Sequence, residues 1–126
     1  MTSLPQRKTA AFTLVEIMIV VAIVGLLAAI AIPNYIKSRA RSQATACINN
    51  LRQIEAGAQQ FALEKGLHAG DTINFPTDIM PYVKLNSSGA IPSCPGNGTY
   101  TLSTVGVTPQ ANCSLGSTIT PAHILE

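Results

Sequence analysis

Charge is scarce in this 126-residue chain: 11% of its residues are charged and 5% are aromatic. Eight Lys and Arg against six Asp and Glu leave a formal charge of +2. Two of the basic residues, Arg7 and Lys8, lie in the first eleven positions, so the remainder carries six of each sign. A balanced chain without an aromatic cluster has little electrostatic grip on nucleic acid or an acidic lipid surface, and no nucleic-acid partner is expected. No Gly-rich phosphate loop follows a strand pattern. The two histidines, His68 and His123, are isolated, and neither forms a nucleophile–base motif with a cysteine. An enzyme is therefore not expected.

Metal patterns are also missing. Cys47, Cys94 and Cys113 contain no C-x-x-C pair, so spacing gives no support to zinc or thioredoxin-like chemistry. After Lys65 the only carboxylates are Asp71, Asp78 and Glu126, few for a calcium site that needs clustered oxygens. No cofactor or metal is expected. Cys94 and Cys113 share a Gly/Pro-rich region, and a disulfide between them would suit an exported domain with a thin core. Such a bridge would contribute about 3 kcal/mol by loop closure and would leave Cys47 over. The alternative is three free, small apolar residues.

What the chain has is one long apolar block. Phe12 to Ile32 reads FTLVEIMIVVAIVGLLAAIAI. As a helix it would span roughly 30 Å, about one bilayer core. Arg7 and Lys8 before it favour a cytoplasmic N-terminus, whereas Lys37, Arg39 and Arg41 after it favour the reverse, so charge alone leaves orientation open. A secretory signal peptide is the competing reading, since Ala29-Ile30-Ala31 has a small-x-small pattern. The run is long for that role, and Glu16 within it is unusual. A carboxylate at the centre of a spanning helix costs about 2.5–3.5 kcal/mol. Near the helix start the cost is lower and the dipole favours an anion, but the group still wants a cation. A free amine at Phe12 would be one.

The helix is expected to continue past Pro33, which would kink it and free a carbonyl in the Ala28–Ile30 region. Apolar residues then recur at Ile36, Ala40, Ala44, Cys47, Ile48, Leu51, Ile54, Ala58, Phe61 and Ala62, one face of a helix. Gly66 is the expected C-cap. From Leu67 on, Gly, Pro, Ser, Thr and Asn dominate. A short helical turn is predicted over Pro76–Met80, capped by Thr77 or Asp78 and ended near Pro81. A strand is predicted over Gly98–Val105, with a second around Ala111–Leu115 and a turn in Gly106–Pro109. Sequons at Asn86, Asn97 and Asn112 are common chance patterns.

Ala11-Phe12-Thr13-Leu14-Val15-Glu16, with its short basic leader and with Pro33 twenty-one positions after Phe12, resembles the cleavage and methylation motif of type IV pilins and type II secretion pseudopilins. The match covers about Arg7 to Pro33. The resemblance implies an α+β pilin-like fold, one long N-terminal helix packed on a small C-terminal antiparallel sheet. It also implies a division into a leader (1–11), a transmembrane and assembly helix (12–32), an amphipathic continuation (33–66) and a periplasmic β domain (67–126). It implies cleavage between Ala11 and Phe12 by prepilin peptidase, N-methylation of Phe12, and pairing of Glu16 with the Phe12 amine of a neighbouring copy. The partners would be further copies in a helical filament and the inner-membrane pilus or secretion assembly machinery. The subunit would rest in the inner membrane with its C-terminal domain in the periplasm. Ala11 departs from the family's usual Gly before the cut. A membrane-anchored binding module that does not assemble is the alternative function.

Overall fold

The computed structural model describes residues 11–125, so Arg7, Lys8 and most of the expected leader lie outside it, as does Glu126. The described chain is α+β, as expected. It holds one long helix, α1 (Leu14–Lys65), a 3-10 turn (Met80–Tyr82), and two short strands, β1 (Tyr100–Leu102) and β2 (Ala111–Cys113). The chain divides into two units, residues 1–36 and 37–126.

In the first unit α1 is capped by Thr13 and runs helical through Pro33. Its 18-residue apolar window has a mean hydropathy of 2.9 and no buried residues, which supports membrane anchoring. Apolar side chains point outward on every side: Leu14, Val15, Ile17, Met18 and Val20 are all more than half exposed.

In the second unit α1 has a single buried face: Ala44, Cys47, Leu51, Ile54, Gly57, Ala58 and Ala62. The steps of three and four match one helical stripe. The expected face began earlier, but Ile36 stays exposed and Ala40 only half-buried. Leu51 and Ile54 are fully buried and pack with Ile73, Ile79, Val83 and Ala111 in one core. Each such side chain contributes about 1.5–3 kcal/mol on leaving water.

The helix ends as expected at Gly66, whose φ of +64° requires the left-handed region. The Leu67 N–H donates to Ala62 O (2.8 Å) and the Gly66 N–H to Leu63 O (3.3 Å), the two bonds of a Schellman cap. The expected helical turn at Pro76–Met80 forms, with the Ile79 and Met80 N–H groups both donating to Pro76 O (3.2 Å), and it runs on into the 3-10 turn Met80–Tyr82, with Pro81 inside rather than ending it. Asp78 faces backward: its carboxylate accepts from Asn74 N–H (2.9 Å), and its own N–H donates to Asn74 O (3.0 Å). The carboxylate thus satisfies a backbone N–H one turn back, where the helical turn begins.

Strands β1 and β2 pair antiparallel, with Tyr100 opposite Cys113, Thr101 opposite Asn112 and Leu102 opposite Ala111. They are shorter than the predicted runs because Val105 exchanges its backbone bonds with Gly70 (2.8 Å) and Asp71 (2.9 Å) instead, and the chain turns after Cys113 through Gly116 N–H to Cys113 O (2.9 Å). The alternation at β2, buried–exposed–buried, turns Ala111 and Cys113 into the core.

Candidate functional site

Two local arrangements carry chemistry. One lies in the second unit, where three sulfurs and a ring nitrogen converge. Cys47 sits fully buried on α1, Cys94 opens a tight turn, Cys113 ends β2, and His123 comes from the C-terminal segment. The potential ligand atoms of these four residues all lie within 4.8 Å of one another. Cys94 Sγ is 3.3 Å from His123 Nδ1.

Local backbone geometry brings them together. Gln43 and Asn50, one turn either side of Cys47, reach Pro95 O (3.4 Å) and Ser93 O (3.4 Å) through their side-chain amides. They hold the Cys94 loop over the helix. The turn itself closes through Asn97 N–H to Cys94 O (3.0 Å), with Asn97 at φ +65°. A second turn, Gly116 N–H to Cys113 O (2.9 Å), is tied to the C-terminal segment by His123 N–H to Gly116 O (2.8 Å). Both glycines at the first turn are sterically required. A Cβ on Gly98 would come within 2.6 Å of Cys113 Sγ, and one on Gly96 within 3.1 Å of His123 Cε1.

Burial pushes the Cys47 thiol pKa well above its usual value, although Tyr100 acts against this. Burial acts upward on Cys94 as well, but hydrogen bonds from Cys47, the Gly96 and Gly98 N–H groups and His123 outweigh it, and its pKa is lowered. Burial raises the Tyr100 phenol, and its hydrogen bond to Cys47 raises it further. Asn50 Nδ2 donates to Tyr100 Oη (3.1 Å).

The expected Cys94–Cys113 disulfide is not formed in this structure. Both thiols are free, as is Cys47. Cys113 Sγ is part of a four-residue cluster rather than an isolated pair, and Cys47 is a member of that cluster rather than a leftover. His123, read from sequence as isolated, is 1% exposed and central to it. His68 is exposed, as a lone surface histidine would be. Asp71 and Asp78 each close their own turn, on the N–H groups of His68 (2.7 Å) and Asn74 (2.9 Å).

The other arrangement opens α1. Ala11 and Phe12 precede the helix in exposed, non-helical backbone, with Phe12 82% exposed. Thr13 Oγ1 accepts from the Glu16 N–H (3.3 Å), and the Glu16 carboxylate accepts from the Thr13 N–H (2.7 Å) and hydroxyl (2.8 Å). This is a capping box, which satisfies two otherwise orphan helix donors. Sequence reasoning treated Glu16 as a lone charge and missed Thr13. The signal was present as Thr-x-x-Glu ahead of an apolar run.

Comparison with known proteins locates the likeness in this region. Residues 6–32 match the prokaryotic N-terminal methylation motif. The chain is 54% identical over 54 residues to the type IV major pilin protein PilA of Myxococcus xanthus, covering 43% of this chain and 24% of that protein. It is 49% identical over 53 residues to a fimbrial protein of Pseudomonas aeruginosa, covering 42% of this chain and 34% of the relative. It is 47% identical over 60 residues to the type IV major fimbrial protein FimA of Dichelobacter nodosus, covering 48% and 38%. The chain thus spans well under half the length of these relatives. No solved structure matches. Over residues 6–32 the chain carries the prokaryotic N-terminal methylation motif, and it is similar to type IV pilins and fimbrial proteins.

Proposed function

We propose that the chain is a structural subunit that polymerises into a type IV filament. In this reading prepilin peptidase cuts between Ala11 and Phe12 on the cytoplasmic face, and the new Phe12 amine is methylated. Residues 12–32 then hold the subunit in the inner membrane with the second unit in the periplasm. On assembly each helix exchanges lipid for neighbouring copies, and Glu16 meets the Phe12 amine of another subunit. The matched relatives are named as pilins and fimbrial proteins, which supports a pilus over a secretion pseudopilus.

The observation that carries this reading is the combination of a carboxylate with a helix segment that is apolar and exposed on all sides. Such a segment needs lipid or copies of itself as solvent. The carboxylate in its first turn is positioned by its capping box but has no cationic partner among the described residues. A neighbour's amine would supply one, and pairing would remove two charges from an apolar filament interior.

The test is intact-mass analysis of subunits from purified filaments. The expected subunit begins at Phe12 and carries one added methyl group. An uncut chain, or one shortened after Ala31, would overturn the reading.

A further inference from the structure

We propose that Cys47, Cys94, Cys113 and His123 form a structural zinc(II) site that staples the second unit. The geometry fits. A tetrahedral centre with Zn–S bonds of about 2.3 Å and Zn–N bonds of about 2.0–2.1 Å places its ligand atoms about 3.5–3.8 Å apart. The four ligand atoms here lie within 4.8 Å of one another, and one edge measures 3.3 Å, so small side-chain movements close them on an ion. Three soft thiolates and one imidazole make a donor set that selects zinc over the hard cations magnesium and calcium.

The surroundings are those of a thiolate centre rather than of an apolar cluster. Binding would release three thiol protons, leaving Zn²⁺, three S⁻ and a neutral imidazole with a net charge of −1. Buried negative charge needs donors. Polar groups stand beside the cluster: Tyr100, opposite Cys113 in the strand pair, has its phenol held by Asn50 Nδ2 (3.1 Å), and the backbone of Gly96 and Gly98 lies against Cys94 Sγ and Cys113 Sγ. Such outer contacts orient ligands and tune a metal. The glycines at 96 and 98 also let the loop close on the ligand atoms, where a Cβ would not fit.

The site also answers a stability problem. About 90 residues with two three-residue strands form a thin core, and small domains of this kind commonly need a disulfide or a metal. A zinc ion joins the helix, the 94–98 loop, β2 and the C-terminal segment at one point. A Cys94–Cys113 disulfide would join only two of the four and leave Cys47 and His123 without a role.

The full chain, purified in detergent without chelators, should contain about one zinc per molecule by elemental mass spectrometry. Its three cysteines should be unoxidised by intact mass under denaturing, metal-free conditions. Cobalt(II) substitution should give the visible bands of a tetrahedral thiolate centre. His123→Ala should lose the stoichiometric zinc, whereas His123→Cys should keep it, which separates ligand loss from misfolding. Tyr100→Phe should weaken zinc binding by about 10- to 100-fold. Metal-free chain with Cys94 and Cys113 disulfide-linked would overturn the proposal. So would iron in place of zinc, or full zinc content in His123→Ala. These measurements use the unassembled subunit, so they stand apart from any failure to form filaments.

Discussion

One helix passes through two kinds of solvent. From Leu14 to Ile36, α1 exposes apolar side chains on all sides, and among the described residues no other element covers them. From Ala44 to Ala62 the same helix buries one stripe and presents Arg52, Gln53, Gln59 and Gln60 to water. Both stretches are helical, and Pro33 alone removes one backbone bond, in the first. The difference lies in the side chains, and it separates what makes the unit fold from what would make copies associate. The second stretch is satisfied within one chain. The first is left for lipid or for other chains.

The largest expected effect tests that division at Glu16. Glu16→Ala should abolish filament formation, measured as sedimentable or visible filament, while the second unit keeps its folded signal. The capping box complicates this variant, because Ala removes both a charge and a helix cap worth about 1 kcal/mol. Glu16→Gln separates the two, since its amide oxygen still accepts from the Thr13 N–H but carries no charge. If charge pairing governs assembly, Gln should fail as Ala does. Normal filaments from Glu16→Gln would show that the cap, not the charge, is what assembly requires.

A smaller effect sharpens the comparison with one substitution made twice. Gly25 and Gly57 both lie inside α1, where replacing Gly by Ala gains about 1 kcal/mol of helix propensity. At Gly25 a new Cβ meets nothing within 4 Å, so Gly25→Ala should leave the folding of the second unit unchanged. At Gly57 it would lie 2.7 Å from Val83 Cγ2, and Val83 is buried and β-branched, with little room to yield. Overpacking of this kind costs about 1–3 kcal/mol, which exceeds the propensity gain. Gly57→Ala should therefore lower the chemical-denaturation midpoint of the full chain, and an unchanged or raised midpoint would refute the close packing.

How much of this was legible in sequence follows from the range of the interactions. The helix was legible because its signals are local: the period of three and four around Leu51 and Ile54, and the stop at Gly66. Thr13-x-x-Glu16 is equally local, a hydroxyl and a carboxylate three residues apart ahead of an apolar run. The start of the buried face was not legible. Ile36 and Ala40 continue the stripe in sequence, but which turns are covered depends on where the later chain folds back. The thiol cluster was the least legible feature. Its four ligands come from a helix, a loop, a strand end and the C-terminal segment, so no spacing rule joins them. The reading of Cys94 and Cys113 as a pair rested on nearness in sequence. Cys47, in the middle of the helix, entered the cluster only through the tertiary contacts of Gln43 and Asn50.

The smallest expected effect concerns a polar contact of the second stretch. The Tyr82 hydroxyl donates to the Glu64 carboxylate in the last turn of α1, while the Tyr82 ring meets Phe61 edge-on at 6.0 Å. Tyr82→Phe removes the hydroxyl and keeps the ring contact, so it isolates the hydrogen bond. That bond to Glu64 is the main cause raising the Tyr82 pKa, with burial and the carboxylate charge adding to it. The sign follows. A phenol whose pKa is higher in the folded chain stabilises the fold fully below the unfolded value of about 10, and loses that contribution as pH rises through the folded value. Wild type should therefore exceed Tyr82→Phe in thermal midpoint near pH 8, and the difference should shrink once the phenol ionises above about pH 10. The effect is small because the pair is solvent-accessible, where water competes for both groups. A difference that held constant across the alkaline range would mean that the hydroxyl acts through packing rather than through its bond to Glu64.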